Sequence, residues 1–196
     1  MSLFRPALIG ENEHQPIPML IGTGGSAFID AASLKYFKSQ LTNLEHNRHY
    51  HFNTGGQWSM HELLQFLLFT TGPADLFFST WALSEDPVRA MLLMKERGYL
   101  RTISCILDYK IKDQKSKAFA LAEQNFTRVK LTKCHAKVTV INNNTWGITI
   151  PGSANYTRNP RIERGGICTD HQAAEFDIRW ISAVLNDEPF FKVRGR

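Results

Sequence analysis

The sequence has no run of about 18 apolar residues, the length a helix needs to cross a bilayer, so no membrane span is expected. The N-terminal stretch MSLFRPALIGENEHQPIPML has no basic segment followed by a continuous apolar core, which argues against a secretory signal. Cysteine is scarce: Cys105, Cys134 and Cys168 are odd in number and spaced unlike metal ligands. They read as small buried hydrophobes within strands of a protein in a reduced compartment, so a cytoplasmic location is expected. There is no internal repeat and no low-complexity segment, which excludes solenoid and fibrous architectures.

What is present fits one well-buried core. The chain has 196 residues and a mass of 22.4 kDa, with 43% hydrophobic and 21% charged residues. The net charge is +5 and the isoelectric point about 9.2, a tilt toward anionic partners.

Along the first 48 residues, periodicity is weak. Met19 to Ala27 looks like a strand entering G-x-G-x-x-A, the turn of dinucleotide-binding folds. That turn requires an acidic residue ending a second strand, and Tyr50–Thr54 carries none, so a plain glycine loop before a helix is expected. Residues 30–46 place Leu34, Phe37, Leu41 and Leu44 at helical spacing, with Asp30 as the N-cap. His49 and His51 would share one strand face, but no third metal ligand stands at a recognisable spacing, and a solvated strand edge is the expectation.

From residue 49 strands and helices alternate. The strands are expected at 49–54, 75–81, 101–107 and 127–133. Between them come a helix opened by the Ser59/Glu62 capping box and stopped at Gly72-Pro73, a helix from Ser84 to Gly98, and one at 113–124. A closing amphipathic helix should cover 171–186. This order argues for an α/β sandwich, a mixed β-sheet with helices on both faces. The expected division is an N-terminal extension with one helix at 1–48 and the α/β domain at 49–196. His61, in the first turn of its helix, is read as structural.

The densest chemistry lies between Lys133 and Glu163. Val138, Val140 and Ile141 form an apolar, β-branched strand, Asn142-Asn143-Asn144 a turn, and Trp146–Ile150 the antiparallel return. His135 and Lys137 stand two apart at the mouth of this hairpin, a spacing that on a strand points both to one face. Gly152-Ser153-Ala154-Asn155 follows the return strand. Imidazole, ammonium and carboxamide would then converge on one spot, a set suited to gripping and attacking a phosphate diester.

These residues resemble the phospholipase D superfamily, whose signature is H-x-K, four residues, D, then G-S-x-N and an acidic residue. Here it runs His135-Ala136-Lys137, Val138 to Ile141, Gly152-Ser153-Ala154-Asn155, then Asn159 and Glu163. The resemblance covers about 49–186 and implies the phospholipase D-like α/β/α sandwich. It also implies a metal-independent phosphodiesterase with no cofactor. The family builds one active site from two motif copies, and this chain has one H-x-K, so a homodimer is implied. In that reading one His135 attacks phosphorus and forms a phosphohistidine, while its counterpart protonates the leaving oxygen. Lys137 and Asn155 hold the phosphoryl oxygens, Ser153 supports them, and Glu163 fixes a histidine tautomer.

One position departs from the signature: Asn142 stands where the family has aspartate, which keeps the shape and loses the charge. The substrate expected is DNA or RNA, because Arg158, Arg161 and Arg164 follow Gly152 and G-S-x-N closely and would track a polyanion. Two alternatives stand beside an endonuclease: a nucleic-acid-binding module with a weak or dead site, motivated by Asn142, and a phospholipid-hydrolysing enzyme.

Overall fold

The structure is a computed structural model and describes residues 20–21, 25–30, 34–158 and 160–188. The turn expected at Gly22–Gly24 therefore lies outside the described residues. The strands are β1 (Leu20–Ile21), β2 (Ser26–Asp30), β3 (His49–Thr54), β4 (Ala74–Thr80), β5 (Leu100–Asp108), β6 (Arg128–Thr132), β7 (Val138–Asn142), β8 (Gly147–Pro151) and β9 (Glu163–Cys168). The helices are α1 (Leu34–Gln40), α2 (Met60–Thr71), α3 (Glu85–Glu96), α4 (Ile111–Gln114), α5 (Ser116–Asn125) and α6 (His171–Leu185).

Among the described residues the strands form one mixed nine-stranded sheet in the order β1-β2-β3-β9-β8-β7-β4-β5-β6. β2, β3, β8, β4, β5 and β6 run one way; β1, β9 and β7 run the other. Side chains alternate across such a sheet, and here both faces find cover. Leu76 and Phe78 of β4, with Ile103, Cys105 and Leu107 of β5, face the large core shared with Leu63, Leu64, Leu67 and Leu68 of α2, Met91 of α3 and Phe119 of α5. On the other face Val140 and Ile106 pack against Ala174 and Ile181 of α6, which lies across β8, β7, β4, β5 and β6. Truncating a fully buried side chain such as Leu64 to alanine should cost about 2–5 kcal/mol.

The α/β/α expectation is met, and the alternation from residue 49 stands within one or two residues at most boundaries. Three local readings are corrected. The helix expected over 30–46 is confined to 34–40, and Asp30 ends β2 rather than capping it. β2 follows Gly25, which sits at φ 76, so that glycine leads into a strand and not a helix. The helix expected at 113–124 is two, separated at Lys115, whose φ of −137 and ψ of 49 break helical geometry.

β9 was not anticipated. Glu163-Arg164-Gly165-Gly166-Ile167-Cys168 has two glycines and two charges, with no apolar alternation to mark it as a strand. Tertiary pairing makes it one: six consecutive positions register against β3. Gly165 is required there, because a Cβ at that position would lie 2.5 Å from Cζ of Phe52. β3 is accordingly an interior strand between β2 and β9, not the solvated edge expected for His49 and His51.

Candidate active site

The carboxyl ends of the six co-directional strands and the amino ends of β7 and β9 meet at one edge of the sheet, the usual place for ligands in α/β folds. Four loops border that edge: Gly55–Ser59, Trp81–Ser84, Lys133–Lys137 and Gly152–Ile162. His135 and Lys137 lie in extended chain just before β7, not on the strand itself. Lys137 Nζ stands 3.5 Å from His135 Nδ1 and donates to the His135 carbonyl at 3.0 Å. The imidazole is exposed and leans on Trp81, with ring centroids 5.8 Å apart. Among the described residues its Nε2 has no hydrogen-bond partner.

Lys137 is joined to the G-S-x-N loop through the backbone: Gly152 N–H donates to the Lys137 carbonyl at 3.1 Å. Asn155 is held more specifically. Its Oδ1 accepts from the Ala82 N–H and from the Thr80 hydroxyl, both at 3.1 Å. A backbone N–H can only donate, so the carboxamide oxygen must face Ala82, and Nδ2 is turned the other way as a donor. Thr80 and Trp81 were missed by sequence reasoning; their one signal is their place at the end of a buried strand, beside the motif only in three dimensions.

Ser153 ties the loop to β9. Its hydroxyl hydrogen-bonds the Glu163 carboxylate, accepts from the Arg164 N–H at 3.0 Å, and its own N–H donates to the Arg164 carbonyl at 2.9 Å. Within one chain Glu163 therefore engages Ser153 rather than His135. The neighbouring Cys134 does not compete as a nucleophile, because burial pushes its thiol up from the ordinary range.

No family model matches the sequence, and no curated protein matches it. Solved structures do. NucT from Helicobacter pylori superposes with a TM-score of 0.53 at 15% identity, covering 71% of this chain and 97% of that one. A polyphosphate kinase from Porphyromonas gingivalis gives 0.54 at 13% identity, over 76% of this chain and 27% of the kinase. Nuc from Salmonella typhimurium, a phospholipase D family member, gives 0.49 at 15% identity, over 62% of this chain and 86% of that one. The chain shares its fold with NucT, a phospholipase D-like α/β/α sandwich.

Within that fold Asn142 lies at the far end of β7 from Lys137, about 16 Å along the strand by the rise of its five residues. Opposite it, as its cross-strand partner, stands Asp75 of β4. Asp75 accepts from Arg101 Nη2 and from the Thr102 hydroxyl, each at 2.7 Å, and Arg101 also reaches the Asn142 carbonyl at 3.4 Å. Partial burial works to raise the Asp75 pKa, but these bonds outweigh it and hold the carboxyl below its ordinary range. The carboxylate at this end of the sheet is thus on β4.

The three arginines do not form one cluster. Arg158 lies in electrostatic reach of His61 and Glu62 at the start of α2. Arg164 projects to the opposite sheet face, beside His51, and Arg161 is exposed between them. His61 is buried with Nδ1 2.8 Å from the Ser59 hydroxyl, and burial lowers its pKa; it serves the helix start.

Proposed function

We propose that the protein is a metal-independent phosphodiesterase that cleaves nucleic acid as a homodimer through a phosphohistidine. The reading is supported by the contact of His135 with Lys137 at the carboxyl edge of the sheet, and by Trp81-Ala82, which meets the His135 ring at one residue and the Asn155 carboxamide at the next. Lys137 and Asn155 Nδ2 are donors aimed where a phosphoryl oxygen gains charge, and they supply the stabilisation another enzyme would draw from a metal ion.

The one motif imidazole of each chain cannot both attack and protonate, so the chemistry needs a second copy, and an isologous two-fold contact supplies one. His135 Nε2 forms a bond to phosphorus as the P–O bond to the leaving group breaks, and the second imidazolium gives that oxygen its proton. The same second histidine, now neutral, takes a proton from water; the hydroxyl oxygen bonds to phosphorus, and the P–N bond breaks. Glu163, held at this edge by Ser153, has the role of accepting a histidine ring N–H and fixing which nitrogen is nucleophilic. Arg158, Arg161 and Arg164 would meet the polyanion on both sides of this spot. The position of Asn142, a strand's length away, favours an active site over a dead one.

The test is cleavage of supercoiled plasmid and of single-stranded DNA and RNA in excess EDTA, by wild type and His135→Ala side by side. Wild type should cut under chelation and the variant should not. Equal cutting by both, or none by wild type, overturns the reading.

A further inference from the structure

Among the described residues the sheet face that α6 covers from β6 to β8 has no helix over its other end, and there β3 and β9 line a pocket of about 350 Å³. Strand alternation brings His49, His51, Arg164, Gly166 and Cys168 to this face, because His49 registers with Cys168 and His51 with Gly166. Pro151 of β8 closes one side. We infer that this pocket is a binding site for a nucleotide flanking the scissile phosphodiester, an inference that rests on the nucleic-acid reading of the site above.

Three observations carry it. The first is continuity: Gly152 and Arg164 line both this pocket and the smaller cavity beside Lys137. A strand gripped at His135 and Lys137 therefore passes over Gly152 directly into it. Arg164 is anchored at the junction by its backbone bonds to Ser153, so its guanidinium is placed to take the flanking phosphate.

The second is shape and surface. The volume is far larger than a lone phosphate needs and falls in the range of small-ligand pockets. Its walls are two imidazoles, with planes within 22° and centroids 6.4 Å apart, and the His49 ring is steadied by Cys168 Sγ 3.5 Å from Nε2. Flat rings beside a guanidinium are what a nucleobase and its phosphate recognise. Gly166 leaves the floor bare, and no packing demands it, since a Cβ there would meet nothing closer than 3.7 Å.

The third is charge. Burial first, then Arg164 and His49, hold His51 below the ordinary histidine range, so it is neutral near pH 7, a state in which a base stacks without a proton change. Among the described residues Arg164 and His49 are the groups that push it this way, and a guanidinium beside the pocket suits an anionic ligand.

The experiment compares wild type with His49→Ala/His51→Ala and with Gly166→Val, which fills the pocket and removes no wall group. Affinity for short single-stranded DNA and RNA oligonucleotides is read by fluorescence anisotropy. Hydrolysis of bis(p-nitrophenyl) phosphate, which has no flanking nucleotide, is read in parallel. Both variants should weaken oligonucleotide binding about 10-fold or more, a loss on the order of one stacked base, and keep small-diester hydrolysis within about 2-fold of wild type. Weakening confined to one nucleic acid names the substrate. Unchanged oligonucleotide affinity in both variants overturns the inference. Absence of small-diester hydrolysis in wild type with weakened binding in the variants overturns only the phosphodiesterase reading, because binding is measured without turnover.

Discussion

The two ends of β7 hold the matching and the departing part of the expected motif, and they have opposite characters. At its start His135 and Lys137 are unburdened by packing: the imidazole is exposed, and the ammonium's described partners are the neighbouring ring and a carbonyl. At its finish the Asn142 carbonyl meets Arg101, beside a polar lattice of Asp75, Arg101 and Thr102. Groups proposed to meet a ligand are left underused by the fold, whereas Asp75, Arg101 and Thr102 are paired with one another. A change at the first end should therefore be read in activity, and one at the second in stability.

The largest effect expected is His135→Ala, which should lower kcat at least about 10³-fold, since in the proposed mechanism it removes the attacking nitrogen and its proton-transferring counterpart together. The thermal midpoint should stay within about 1 °C, because surface substitutions away from packing usually cost little. A loss of several degrees would break the comparison by giving that end a structural burden too. Asn155→Ala comes next, with kcat down about 10²-fold for loss of one donor to the developing charge. It also strands the Ala82 N–H, while the Thr80 hydroxyl keeps the Ala82 carbonyl at 2.9 Å, so some stability should go with it; Asn155→Asp, which keeps the acceptor and loses Nδ2, should retain the stability and not the rate.

The same contrast explains what could be read in advance. The hairpin, the alternation from residue 49 and the motif residues were legible because each has a local cause: β-branched runs, a Ser59/Glu62 capping box, turn glycines and a fixed spacing. β9 was not, because Gly165 answers to Phe52 and the whole strand to its register with β3 rather than to any local preference. Thr80 and Trp81 were invisible for the same reason. They meet Asn155 and His135 only when the sheet order sets β4 beside β7. The three arginines are close in sequence and suggest one patch, yet β9 alternation sends Arg164 to the far face.

At the other end, Asp75→Asn should cost about 1 kcal/mol of stability, a half-exposed ion pair and one hydrogen bond, and leave kcat within about 2-fold. The pH dependence has a definite sign. The folded carboxyl titrates below its unfolded value, so its contribution is complete above about pH 4 and is lost as pH falls through the depressed folded value. Thermal midpoints of wild type and Asp75→Asn should thus differ by a constant amount from roughly pH 5 to 8 and converge in stronger acid. A gap that widened on acidification would mean that Asp75 is not the charged partner of Arg101.

The smallest effect expected is the most discriminating. Asn142→Asp restores the family signature in full, and if the missing charge were what limits the site, activity should rise by an order of magnitude. The geometry predicts no such gain. The introduced carboxylate would stand directly opposite Asp75 on the same face, where like charges destabilise by roughly a few tenths of a kcal/mol, and it would still be a strand's length from Lys137. The kcat should stay within about 2-fold and stability should fall slightly. Combining Asn142→Asp with Asp75→Asn moves the single carboxylate from β4 back to β7, still within reach of Arg101, and should return most of that loss as a favourable coupling in a double-mutant cycle. Additive losses would show that the two positions do not share one carboxylate site, and a tenfold gain in rate would show that this distant end governs the chemistry after all.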